Sequence, residues 1–158
     1  MWQPWAMHID VTQDIAAPAD RVWAIITDLE NSPTVISGID SVDILGGPDG
    51  FGIGTRWRET RTMFGRQATE EMEISELVPG RSYRTEAASH GMNYESMMEV
   101  VPVGDGACTL TMRFAGEATS TTSKVMGATI GRLFVGSTRK ALAKDLADIA
   151  AAAEAQAG

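Results

Sequence analysis

Polar and apolar residues alternate over residues 8–16. Ile9, Val11 and Ile15 fall on one face and His8, Asp10, Thr12 and Asp14 on the other, the period-2 pattern of a half-buried strand. Pro18 breaks that pattern. Val22, Ile25, Ile26 and Leu29 then recur near helical spacing, which predicts a short helix over 19–27. Asn31-Ser32-Pro33 interrupts it, with a second helical piece over 33–37. A strand over 42–45 precedes a glycine-rich loop from Gly46 to Gly54. Five more strands are predicted near 55–64, 67–77, 81–88, 93–102 and 107–116, divided by Gly65, Pro79-Gly80, His90-Gly91 and Gly104-Asp105-Gly106. Connections this short join antiparallel neighbours in a meander. From about Ser123 to Ala155 proline is absent, and Leu142, Leu146, Ile149 and Ala153 fall on one helix face. Such a helix is roughly 50 Å long, with Gly127, Gly131 and Gly136 weakening its first half.

This order of elements predicts an α+β helix-grip fold. A curved antiparallel seven-stranded sheet wraps around the long C-terminal helix, with two short helices after the first strand. No repeat or linker divides the 158 residues, so one domain is expected, with an arm over 1–7 and a folded core over about 8–155. A sheet is broader than a helix, so side chains leave a hollow at one end, a usual place for a small molecule.

The hairpin over 55–77 can be phased from its turn. Gly65-Arg66, glycine first, suits a two-residue turn and sets Phe64 opposite Gln67. Arg61 then faces Glu70, Glu59 faces Met72 and Trp57 faces Ile74, while Thr62 meets Thr69 and Arg58 meets Glu73. Trp57, Met63, Met72 and Ile74 look toward the helix, and so do Glu59, Arg61 and Glu70. Burying an unpaired charge is costly, so an Arg61–Glu70 ion pair is expected inside the hollow. Continuing the alternation turns Tyr83, Thr85 and Ala87 inward, then Tyr94, Ser96, Met98 and Val100, then Cys108, Leu110, Met112 and Phe114.

Composition narrows the function. Apolar residues make up 44% of the chain, and the formal net charge is -8. That balance argues against nucleic acid, which needs clustered cations, and against anionic membrane surfaces. A single cysteine, Cys108, and two histidines, His8 and His90, supply no disulfide and no metal-ligand spacing. No segment has the apolar length of a membrane span, and the N-terminus does not read as a secretory signal. A cytoplasmic protein without metal or cofactor is the expectation.

Four stretches carry a resemblance. They are Ile15-Ala16-Ala17-Pro18-Ala19-Asp20-Arg21-Val22-Trp23, Gly54-Thr55-Arg56-Trp57-Arg58-Glu59-Thr60-Arg61, Val78-Pro79-Gly80-Arg81, and Thr138-Arg139-Lys140-Ala141-Leu142-Ala143-Lys144-Asp145-Leu146. Over about residues 8–155 the chain resembles the START-like (SRPBCC) superfamily, in the branch of polyketide cyclase/dehydrase and lipid-transport proteins. The resemblance implies a hydrophobic cavity between sheet and C-terminal helix. It carries over no catalytic residue, because that family keeps its scaffold and varies the cavity.

Glu59, Arg61, Glu70 and Tyr94 are the polar candidates. They either orient a ligand carbonyl or hydroxyl or form a structural ion pair. Glu59, Arg61 and Tyr94 would carry any catalysis. The expected lining adds Trp57, Met63, Met72, Tyr83, Thr85, Met98, Leu110 and Met112 from the sheet, and Met126, Ile130, Leu133 and Phe134 from the helix. Methionine suits a permissive pocket and plain core filling equally. The Gly46–Gly54 stretch lacks the Gly-Lys-Ser/Thr ending of a phosphate cradle and reads as a flexible loop at the cavity mouth. His8 and His90 read as solvated. Three functions compete: binding or carriage of a small hydrophobic molecule, a cofactor-independent cyclase or dehydrase, and a protein-interaction module using the Trp2- and Trp5-containing arm.

Overall fold

The computed structural model describes residues 7–63, 65–89, 92–118 and 121–156, with side chains of the last helix described from residue 136 onward. Strand β1 (Met7–Ile15) leads into α1 (Ala19–Ile26), a 3-10 turn (Leu29–Asn31) and α2 (Ser32–Val35). Then come β2 (Ile39–Gly46), β3 (Arg56–Met63), β4 (Arg66–Val78), β5 (Ser82–Ser89), β6 (Met92–Pro102), β7 (Cys108–Ala118) and α3 (Thr121–Ala155). Among the described residues the strands form one seven-stranded sheet in the order β1-β7-β6-β5-β4-β3-β2, every pair antiparallel. The first strand lies beside the last, so the two short helices carry the chain from one edge of the sheet to the other. This is the expected helix-grip α+β fold. Gly127, Gly131 and Gly136 do not interrupt α3.

Local chemistry sets these boundaries. Pro18 caps α1, its carbonyl accepting from Arg21 N and Val22 N, and Asp20 sits in the first turn, where the helix dipole favours a negative charge. Val22 and Ile26 form the buried stripe of α1. The loop after β2 needs glycine at residue 47, where φ is 122° and a Cβ would lie 2.5 Å from Thr55 Cα.

The loop is not a loose flap at a cavity mouth. Gly54 N donates to Ile74 O, and Ile74 N donates to Thr55 O, at 2.9 and 3.0 Å. Phe51 meets Tyr83 edge-on at 4.9 Å and Trp23 at 6.5 Å. Those three rings close the end of the sheet beside α1.

The β3–β4 register differs from expectation by two residues. Trp57 faces Met72, Glu59 faces Glu70 and Arg61 faces Ala68. On the outer face Thr60 faces Thr69 and Arg58 faces Glu71. The last pair, Met63 with Arg66, encloses residues 64 and 65, so Gly65, at φ 76°, is the second turn residue and not the first. A shift of two preserves which face each side chain takes. Glu59, Arg61 and Met63 therefore point inward as expected while their partners change.

The core joins sheet to helix. Ile15, Trp57, Ile74, Tyr83, Val100 and Leu110 pack with Val22 and with Leu146, Ile149 and Ala153 of α3. The predicted helix stripe is the buried one: Leu142, Leu146, Ile149 and Ala153 are all within 7% exposure. Polar contacts fasten α3 along the β1 edge, where unpaired backbone groups would otherwise stay open. Arg139 Nη1 donates to Asp10 O, and Ala16 N donates to Glu154 Oε2, both at 2.9 Å.

Candidate functional site

The inner face of the sheet has two halves. Around Trp57, Ile74, Tyr83, Thr85, Val100 and Leu110 it is sealed against the C-terminal half of α3 and against α1. Toward the end of β3 and the start of β6 it stays half-buried, at Met63, Met72, Tyr94, Met98, Met112 and Phe114. Tyr94 and Phe114 stack there with ring centroids 5.6 Å apart. Among the expected lining residues, Trp57, Tyr83, Thr85 and Leu110 therefore belong to the sealed half. Met63, Glu70, Met72, Tyr94, Met98 and Met112 belong to the half-buried one. The side chains of Met126, Ile130, Leu133 and Phe134, and the residues His90, Trp2 and Trp5, lie outside what the structure describes. His8 is exposed on the outer face of β1, as expected.

Between the halves sits a buried polar cluster. Arg61 Nε donates to Glu59 Oε2 at 2.7 Å, Arg61 Nη2 to Asp145 Oδ2 at 2.7 Å, and Arg61 Nη1 to Asp145 Oδ1 at 3.3 Å. Trp57 Nε1 approaches Glu59 Oε1 at 3.4 Å. Gly38, between α2 and β2, backs the cluster, where a Cβ would sit 3.5 Å from Arg61 Nη1. The bidentate partner of Arg61 is thus a helix residue that the hairpin phasing missed, and the expected cross-strand position of Glu70 is taken by Ala68. One signal pointed to it. Asp145 lies one residue before Leu146 and three after Leu142, so an acidic side chain borders the buried stripe.

Environment sets the protonation of these groups. Burial opposes the charge on Arg61, but Asp145 and Glu59 outweigh it and raise its pKa further. Burial pushes the Asp145 carboxyl above its usual range; Arg61 opposes that rise, and Glu59 and Asp148 add to it. Burial and then Glu70 raise the Tyr94 phenol, which stays protonated as a donor at neutral pH. Burial and then Glu59 do the same to Tyr83, whose hydroxyl donates to Ile26 O at 3.3 Å.

A cleft of about 680 Å³ opens along β3 to β7. It is lined by the charged residues Arg56, Glu71, Glu73, Glu86, Glu95 and Glu117 and by Met72, Ala87, Ala88, Asn93, Tyr94, Ala115 and Gly116. Among the described residues no group of three or more His, Cys, Asp or Glu could hold a metal ion. None of the described helices is long and apolar enough to cross a membrane.

A curved sheet gripping one long helix, with a half-open inner face, defines a START-like helix-grip protein. The chain belongs to the polyketide cyclase/dehydrase and lipid transport family, whose model matches residues 6–154. Among solved structures it resembles the Zhui aromatase/cyclase from Streptomyces sp. R1128, at TM-score 0.81 and 15% identity, covering 97% of this chain and 96% of that one. It also resembles TTHA0849 from Thermus thermophilus, at TM-score 0.79 and 18% identity over 96% and 100% of the two chains. A START superfamily protein from Mycobacterium smegmatis aligns at TM-score 0.66 and 19% identity over 86% and 94%. These likenesses establish the fold. No curated protein matches the sequence.

Proposed function

We propose that this protein binds a small hydrophobic molecule between the inner face of its sheet and α3. One observation carries the reading. Met63, Met72, Met98, Met112, Tyr94 and Phe114 face inward yet remain only half-buried, while Trp57, Ile74, Tyr83, Thr85, Val100 and Leu110 of the same face are sealed. Apolar surface left accessible inside a curved sheet favours an apolar occupant. Methionine adapts to ligands of different shape, and Tyr94, with Glu59 and Arg61 nearer the helix, offers polar contacts. The molecule would be bound as cargo without a cofactor, in a protein that we place in the cytoplasm. The folded unit would be one domain over about 8–155. Native mass spectrometry of freshly purified protein tests the reading. A co-purifying organic mass, or stoichiometric uptake of added pyrene, is expected. A protein that takes up no apolar molecule would refute it.

A second reading has its own support. A buried Glu59–Arg61–Asp145 cluster on the same inner face as a protonated Tyr94 could hold a reactive carbonyl chain and move protons along it, as in a cofactor-independent cyclase or dehydrase. The structural likeness to an aromatase/cyclase is compatible with it. Loss of turnover in Tyr94→Phe or Glu59→Gln, with ligand affinity kept, would favour it over simple carriage.

A further inference from the structure

Methionine is distributed unevenly over the inner face. The enclosed core positions hold Ile74, Val100, Leu110, Leu146 and Ile149, and no methionine is among the buried apolar side chains of the described residues. Six methionine side chains are described, and all six are half-buried. Strand alternation puts five of them, Met63, Met72, Met92, Met98 and Met112, on the inner face and Met97 on the outer one. Met98 and Met112 stand directly opposite each other across β6 and β7. Phe114, next to Met112 on the same face of β7, stacks on Tyr94.

A thioether is an apolar group that a peroxide converts into a polar one, the sulfoxide. The sulfur attacks one peroxide oxygen. The O–O bond breaks as the S–O bond forms, the sulfur gives up two electrons, and the other oxygen leaves as water with both protons. No proton has to be lost from the side chain first, whereas a thiol reacts as its thiolate. Cys108, the single cysteine, is 2% exposed and belongs to the sealed core. Among the described residues, the thioethers are therefore the oxidisable sulfurs that a small oxidant reaches on this face. A sulfoxide dipole there loses its hydration when an apolar molecule covers it, which weakens binding.

We propose that Met98 and Met112 form an oxidation site, where oxygen transfer from hydrogen peroxide releases a bound apolar molecule and where that molecule, while bound, shields the two sulfurs. This rests on the ligand-binding reading above. The modification is reversible. A methionine sulfoxide reductase returns the thioether as two thiols become a disulfide and the oxygen leaves as water.

Peroxide treatment of the intact protein, followed by peptide mass mapping and pyrene titration, tests it. Met98 and Met112 should each gain one oxygen, and saturating pyrene should slow both at least about threefold while leaving Met97 on the outer face unchanged. The oxidised protein should bind pyrene at least about tenfold more weakly. Methionine sulfoxide reductases of both stereospecificities, with dithiothreitol, should restore the original affinity. The double variant Met98→Leu/Met112→Leu, whatever its own affinity for pyrene, should keep that affinity through the same treatment. Unchanged pyrene binding once both sulfurs are oxidised overturns the proposal and leaves the pocket. Loss of binding that comes with global unfolding by circular dichroism also overturns it, as does equal protection of Met97. Where the double variant fails to fold, the protection and recovery measurements on the unmodified chain decide. No pyrene uptake by the untreated protein removes the ligand-binding reading and this inference with it.

Discussion

Arg61→Met would leave Glu59 and Asp145 facing each other without their shared cation. Stranding buried carboxylates in this way costs about 3–5 kcal/mol, and urea unfolding should show a loss of that order. The two carboxylates one turn apart on α3 respond to pH in opposite senses. The Asp145 value is raised in the folded protein, so its contribution is full below the ordinary Asp value and is lost as pH rises through the raised one. The Asp148 value is lowered, because hydrogen bonds from Ser37 and Lys144 outweigh the effect of burial. Its contribution is present above the ordinary value and is lost as pH falls through the lowered one. Urea midpoints taken from mildly acidic to neutral pH should therefore fall less steeply with rising pH in Asp145→Asn than in the parent. Asp148→Asn should lose the parent's additional drop at the acid end. Thr138 makes a simpler case. Its hydroxyl is buried with no hydrogen-bond partner among the described residues, so Thr138→Val should stabilise the protein by about 1 kcal/mol.

At the scale of elements, α3 is unequally held. Its C-terminal half carries Leu146 and Ile149 in the core and the polar fastenings to β1, to Arg61 and to Ser37. Leu146→Ala should cost about 2–5 kcal/mol by opening a cavity there. Met98→Leu, on the half-buried stretch of β6, conserves volume and should cost less than about 1.5 kcal/mol, while changing the affinity of any apolar probe. Thermal or urea unfolding of the pair, set beside pyrene uptake, separates the two regions. The loop after β2 belongs to the sealed end, because Phe51 packs on Trp23 and Tyr83. Its glycines had suggested a flexible mouth; the aromatic ring among them decided otherwise.

For the molecule as a whole, the two faces of the sheet divide the chemistry. The inner face holds the core, the charged cluster and the half-open apolar surface, and the outer face is a charge ladder. Glu73 faces Glu86, and Glu86 faces Glu95, a run of like charges that disfavours its own pairing. Glu86→Lys should raise stability by about 0.2–1 kcal/mol, with the gain shrinking in high salt, as urea titrations at two ionic strengths would register. The antiparallel meander, the buried stripe of α3 and the inward set on β3 to β7 were legible in the sequence, because period and turn residues are local properties of the chain. Trp57, Glu59 and Arg61 turned inward for that reason, even though the turn was misplaced by a residue and the register by two. The partner of Arg61 was not legible, because eighty-four positions separate it from Asp145 and only the crossing of α3 over β3 brings them together. The seal at Tyr83 and the half-burial at Tyr94 were hidden likewise, since both positions alternate inward alike. Local patterning assigns a side chain to a face; what waits for it on that face depends on packing between elements far apart in the chain.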